Sequence, residues 1–408
     1  MIAETLEIYL NERRIGMITA LGADRSIFSF DKAYVDDPYR PTLSLSFKGE
    51  HGGLLHEHNP TQTRLLPFFS NLLPEGPLRD YLAKRAGVKP MREYPLIQVL
   101  GPDLPGAIII KPLGAGAGAD GDLFGGDDVQ SKTAQKLLRF SLAGVQMKFS
   151  AVEKATSGLT IPASGKGGNW IIKLPSARFP GMAANEFAMM SLAQKMGLDV
   201  PKVELMQLGQ IDGLPEGIGK IKEEAFAIRR FDRAPSGKRI HIEDFAQVFG
   251  VYPDEKYDKG SYRHIAKVLW LETGEAGIRE FIKRLVFNAL IGNADMHLKN
   301  WSLIYPDGRT PKLSPGYDFL STTVYIPDDS AGLRFARTKR VAELTMDELS
   351  YMAVKAGVPQ TVVQEAAAEI VDQFHEVWRQ EQSNLPISRD QKGEIEKLLR
   401  IVPVAAGR

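Results

Sequence analysis

Phe287–Asp318 reads FNALIGNADMHLKNWSLIYPDGRTPKLSPGYD, and it opens as the end of an apolar helix. Ile278, Phe281, Ile282, Leu285, Ala289 and Leu290 keep roughly helical spacing, and the last turns are apolar nearly all round. That is the pattern of a buried helix. Gly292 is the expected stop. Asn293 to Asn300 then packs Asn, Asp, His, Lys and a second Asn into a short loop. An apolar strand over Trp301–Tyr305 follows, then a turn at Pro306-Asp307-Gly308 and a further carboxylate at Asp318. A polar loop anchored to a buried helix is where function is expected, because the scaffold holds its groups still.

The spacing narrows the chemistry. Asp295-x4-Asn300 has the offset of a protein-kinase catalytic loop, in which the Asp orients the attacking hydroxyl and the Asn holds Mg²⁺. Asp318, past a short hairpin, suits the second metal ligand. Phosphoryl transfer needs such a trio because charge on the moving group must be neutralised while the nucleophile is held in line. Alone, the Asp-x4-Asn spacing recurs by chance, and a single loop Asp or Asn is most often a turn or cap residue. The helix before it and the strand and carboxylate after it add weight.

Composition is permissive. The 408 residues suggest two or three domains, and 43% apolar with 25% charged is ordinary for a water-soluble chain. A net charge of +1 argues against a whole-protein nucleic-acid footprint. With no cysteine there are no disulfides or thiolate metal sites. No basic leader or membrane-length apolar run is visible, so a cytoplasmic protein with no membrane partner is expected.

From the N-terminus, Leu6, Ile8 and Leu10 alternate, Asn11-Glu12 suggests a turn, and further strands are expected at Ile15–Thr19, Ser26–Phe30 and Leu43–Phe47. His51, His56 and His58 lack rigid metal-ligand spacing and read as a solvated loop. Leu65–Gly76 leads into a helix over 77–85. Residues 113–132 are rich in Gly, Ala and Asp and read as a linker. Beyond it, Phe140–Lys148 joins a small, flexible centre (Ala143, Gly144) to a lysine, so its backbone N–H groups suit ATP phosphates. Trp170–Pro175 is an apolar strand carrying Lys173, the place of the lysine that grips α/β-phosphates, and Glu186 on a helix over 184–196 could pair with it. Val203–Leu208 and Ala225–Arg230 form a hairpin, His241–Gly250 an amphipathic helix, and Thr345–Glu348 a capping box.

Several motifs, in order, resemble the HipA-type toxin kinases of bacterial toxin–antitoxin modules: Asn71-Leu-Leu-Pro74, Ser141-Leu-Ala-Gly-Val-Gln-Met-Lys148, Ile171-Ile-Lys-Leu-Pro175, Ala227–Arg233, Lys256-Tyr257 and Asn293–Asn300. The resemblance implies an α+β, two-lobed protein-kinase-like fold. Its parts are an N-terminal subdomain (1–112), the linker (113–132), a β-rich lobe (133–233) and a helical lobe (234–408). It implies Asp295 as catalytic base, Asn300 and Asp318 on Mg²⁺, and Ser141 as a self-phosphorylated serine. For ATP it implies Lys173, Ala143, Gly144, Val145, Gln146, Lys148, Arg230, Phe231, His297 and Lys299. The hinge backbone over 227–233 would meet adenine, although Arg229 stands where the family carries an acid.

The resemblance also implies a HipB-like helix-turn-helix antitoxin, operator DNA through that complex, an aminoacyl-tRNA synthetase as protein substrate, and growth arrest or persistence. Two other readings stay open. A metal-dependent phosphohydrolase would use Asp295, His297, Asp318 and Asn293, and a non-catalytic corepressor would act only through its antitoxin.

Overall fold

The computed structural model describes residues 4–114, 148–153, 159–160, 168–176, 178–214, 223–327 and 330–407. Five antiparallel strands build the first sheet, in the order β4-β3-β2-β1-β5. They are β1 (Thr5–Leu10), β2 (Arg13–Gly22), β3 (Arg25–Phe30), β4 (Thr61–Gln62) and β5 (Ile108–Pro112). Alternation in β1 turns Leu6, Ile8 and Leu10 into a core shared with Phe28, Phe69, Leu96 and Ile110. Asn11 makes the first turn with φ 55°, a conformation Asn adopts at little cost.

The second sheet runs β10-β7-β6-β8-β11-β9. Its strands are β6 (Lys148–Glu153), β7 (Leu159–Thr160), β8 (Trp170–Lys173), β9 (Val203–Gln207), β10 (Ile211–Asp212) and β11 (Glu224–Arg229). In β8, Lys173 lies opposite Lys148 of β6 and Phe226 of β11. A helix over Met182–Lys195 packs on this sheet, and Gly197 leaves it at φ 75°.

The helical lobe is built from Tyr262–Leu290, Met346–Ala356, Gln360–Glu381 and Arg389–Ile401. Its long helix starts well before the apolar run and bends at Gly274, whose φ of 68° lies outside helical space. Gly292, at φ 69°, ends it as expected. The lobe also carries a three-stranded sheet, β12 (His241–Asp244), β13 (Ser302–Tyr305) and β14 (Lys312–Leu313), joined through the hairpin at Pro306-Asp307-Gly308.

Two local expectations fail. Leu43–Phe47 is not a strand; Leu45–Phe47 is a 3-10 turn, capped by the Ser44 hydroxyl accepting from the Ser46 N–H at 3.1 Å. The Leu45 N–H is taken by the Glu243 carboxylate at 3.0 Å instead of a neighbouring strand. His241–Gly250 is not one helix. Its first half is β12, and the helix is only Phe245–Val248, because Asp244 and Gln247 form a reciprocal capping box that starts helical phase there. The Thr345 box is half made: its hydroxyl caps Glu348, whose own carboxylate instead accepts from the Ala336 and Arg337 N–H groups.

Several contacts fasten the first sheet's unit to the rest. Arg233 donates to the Gly106 carbonyl at 3.0 Å and to Asp103 at 3.2 Å, while Asp232 accepts from the Gly106 N–H at 2.8 Å. Ser44 donates to Glu243 at 2.5 Å. Asn71 donates to the Val251 carbonyl at 2.7 Å.

Candidate active site

The loop after the long helix is organised by its own amides. Asn293 donates to the Asn288 side chain at 2.9 Å and to the Asp318 carbonyl at 3.0 Å, and its oxygen accepts from the Asp295 N–H at 3.2 Å. Asn300 donates to the Asp295 carbonyl at 2.7 Å, and among the described residues its side-chain oxygen remains a free acceptor. Tyr317 donates to the Lys299 carbonyl at 2.8 Å, so the residue before Asp318 is tied to the residue before Asn300. These bonds bring Asp295, Asn300 and Asp318 to one place. Asp318 sits at φ 56°, a left-handed conformation that costs about 1–2 kcal/mol for most residues with a Cβ and that Asn and Asp tolerate better than the others.

From the β-rich lobe, Lys173 reaches both carboxylates: its ammonium donates to Glu186 on the Met182–Lys195 helix and to Asp318. Lys173 and Glu186 are only 5% and 2% exposed. Burial works against the Lys173 ammonium, but Asp318 and Glu186 outweigh it and raise its pKa. Burial also lifts Glu186, only partly countered by Lys173. For Asp318 burial is again the largest influence, yet Lys148 and Lys173 together overcome it and hold the carboxyl well below the usual range. Asp318 is therefore an ionised oxygen donor. With the free oxygen of Asn300 it suits Mg²⁺, which takes one or two protein ligands and completes its shell with phosphates and water.

The remaining candidates divide. Lys148, exposed on β6, faces the same carboxylates as Lys173. Lys299 is turned elsewhere: it donates to the Asn71 carbonyl at 2.9 Å and side chain at 3.2 Å, and it lies 3.1 Å from Glu75 and 3.6 Å from Asp244. His297 is buried, its Nδ1 has no partner among the described residues, and burial with Lys256 nearby depresses its pKa to about 4, so it is neutral. Its ring packs edge-on against Tyr257 at 4.9 Å. Arg230 grips Asp232 with two hydrogen bonds of 2.9 and 2.7 Å, and its backbone N–H donates to Asn169, so it braces the hinge. Phe231 lies beside it with its ring 5.7 Å from Tyr317. Ser141, Ala143, Gly144, Val145 and Gln146 lie outside the described residues, as does most of the linker.

Residues 140–378 match the HipA-like C-terminal domain and residues 6–111 the HipA N-terminal domain. The chain belongs to the HipA family. Y4dM of Sinorhizobium fredii, a protein assigned as a kinase, is 53% identical over 388 residues, 94% of this chain and 93% of its own. The serine/threonine-protein kinase toxin HipA of Shewanella oneidensis is 26% identical over 370 residues, 79% of this chain and 76% of its own. The solved complex of Shewanella oneidensis HipA with HipB and operator DNA superposes with a TM-score of 0.72 at 21% identity, over 98% of this chain and 96% of that one. The HipA architecture, a two-lobed kinase-like α+β fold, is therefore the fold of this chain.

Within that frame, Tyr257 and Glu75 are the site residues that motif reading left without a role. Tyr257 donates to the Asp295 carboxylate at 2.5 Å, and Glu75 pairs with Lys256 at 2.6 Å. Their signals were the Lys256-Tyr257 pair and the acid that ends Asn71-Leu-Leu-Pro-Glu75. Among the described residues no helix is long and apolar enough to cross a membrane.

Proposed function

We propose that this chain is an ATP-dependent serine/threonine protein kinase of the toxin type. The observation that carries the reading is Lys173, which joins the β-rich lobe to Asp318 while hydrogen bonds from the Asn293 amide and the Tyr317 hydroxyl hold Asp318 beside the Asp295–Asn300 loop. That is the layout phosphoryl transfer requires: a cation from one lobe, and from the other a base and oxygen donors.

In this reading the acceptor hydroxyl gives its proton to Asp295 as its oxygen bonds to the γ-phosphorus. The bond from that phosphorus to the β–γ bridging oxygen breaks, ADP departs, and the proton passes from Asp295 to solvent. Lys173 leaves Asp318 for the α/β-phosphates when nucleotide enters, and Lys148 adds charge from the adjacent strand. Mg²⁺, held by Asn300 and Asp318, supplies neutralisation of phosphate charge when bound. Glu186 keeps Lys173 aimed into the cleft. The hinge backbone near Arg230 and Phe231 takes the adenine.

The family relationship and the HipA–HipB–operator complex support a HipB-like antitoxin and operator DNA as partners. On sequence resemblance alone, the protein substrate is an aminoacyl-tRNA synthetase and Ser141 is the self-phosphorylated serine. Ser141 carrying about two negative charges would repel ATP phosphates from their loop.

The test is phosphopeptide mapping of the wild type, Asp295→Asn and Ser141→Ala after incubation with labelled ATP and Mg²⁺. Label on the wild type and none on Asp295→Asn is the expected result. Equal label on Asp295→Asn sinks the kinase, and undiminished label on Ser141→Ala moves the self-modified site elsewhere.

A further inference from the structure

Asp295 is exposed, and an exposed carboxylate turns freely unless something holds it. Here the Tyr257 hydroxyl does so, donating at 2.5 Å. Tyr257 is itself 37% exposed and comes from the loop between the 3-10 turn at Pro253–Glu255 and the long helix. That loop is held from its own lobe, where the Leu298 N–H donates to the Lys256 carbonyl at 3.3 Å, and from the N-terminal domain. Lys256, the neighbour of Tyr257, pairs with Glu75 at 2.6 Å, and the same carboxylate lies 3.1 Å from Lys299 in the catalytic loop. All three side chains are largely covered, with 33%, 18% and 15% exposed for Glu75, Lys256 and Lys299. The two lysines overcome the burial of Glu75 and lower its pKa, so it is charged.

We propose that Glu75, contributed by the N-terminal domain, and Tyr257 are positioning residues for the catalytic base: one carboxylate clamps both loops that flank Asp295, and the tyrosine hydroxyl fixes its rotamer. The kinase site is then incomplete without the N-terminal domain, and anything that shifts that domain changes turnover without touching the nucleotide. This inference rests on the kinase reading above.

Neither residue contacts Lys173 or Asp318, so the expected signature is a split between turnover and binding. Full-length Glu75→Gln and Tyr257→Phe should each lower ATP-to-ADP turnover with Mg²⁺ on the order of tenfold, the scale of a misplaced catalytic group. Their ATP dissociation constants and unfolding midpoints should match the wild type. Because both changes act through Asp295, the double variant should be no slower than the slower single one. Wild-type turnover in Tyr257→Phe, an equal loss of ATP affinity, or multiplying effects in the double variant would overturn the proposal. Asp295→Asn run alongside separates the two readings. If it too turns over like the wild type, the kinase itself fails; if it alone is dead, only the positioning role fails.

Discussion

Lys173 is buried between two carboxylates, and that placement governs what its removal does. In Lys173→Met, Glu186 keeps a carboxylate that is 2% exposed and without its counter-charge. Stranding one member of a buried pair costs about 3–5 kcal/mol, whereas replacing both by apolar residues is often neutral. Urea unfolding should therefore find Lys173→Met destabilised by about that amount, and Lys173→Met with Glu186→Leu returned most of the way. ATP titration should find neither able to bind. A double variant as unstable as the single one would mean that the pair is not the source of the cost. This lysine was legible in the chain because a lone cation in Trp170-Ile-Ile-Lys-Leu-Pro175 stands out. Its partner was legible only as one acid among several ways to begin a helix, since the helix dipole alone favours acids there.

At the scale of elements, the catalytic loop is held by a close approach that no motif announces. Gly332 lies so near it that an added Cβ would fall 2.6 Å from the Met296 carbonyl carbon and 2.8 Å from the His297 nitrogen. Backbone cannot yield as a side chain end can, so Gly332→Ala must push the Asp295–His297 turn outward. Turnover should drop roughly a hundredfold, the scale of a 1 Å misplacement, in a protein that still folds. Steady-state kinetics with circular dichroism as control would check it, and wild-type turnover would show that the loop tolerates the shift. Elements with a strong period were read correctly, the helix into Gly292 above all, because burying one apolar face imposes that period whatever the neighbours do. Leu43–Phe47 and His241–Gly250 were misread because their backbone groups are claimed from far along the chain: by Glu243 at Leu45 and by β13 at β12.

Across the whole molecule, Glu243 is one of the places where the N-terminal domain meets the helical lobe. It accepts from Ser44, the Leu45 N–H and the Tyr305 hydroxyl, with no cation paired to it among the described residues. Burial dominates and raises its pKa from 4.5 to about 7. The folded protein then binds more protons than the unfolded chain between those values. The stabilisation is complete below pH 4.5 and is lost as pH rises through about 7. His241 and His297, both depressed to about 4 chiefly by burial, act in the opposite direction up to their usual pKa of 6.5. The Glu243 contribution is thus read as a difference. Wild type minus Glu243→Gln in unfolding free energy should fall by on the order of 3 kcal/mol from pH 4.5 to 7.5. A flat difference would mean the interface keeps this carboxyl charged.

The chain by itself determined the long apolar helix and its glycine stop, because apolar periodicity and glycine stops are local, while the kinase-like order of parts came from its resemblance to the HipA family. It also determined Lys173, Asp295, Asn300 and Asp318 as a candidate set, because phosphoryl transfer restricts both residue type and spacing. Only the tertiary structure decided that Lys299 turns toward Asn71 and Glu75, and that Tyr257 rests on Asp295. The physical reason is that a long side chain's partner is chosen by which polar groups folding brings within reach, and those groups lie up to 228 residues away along the chain.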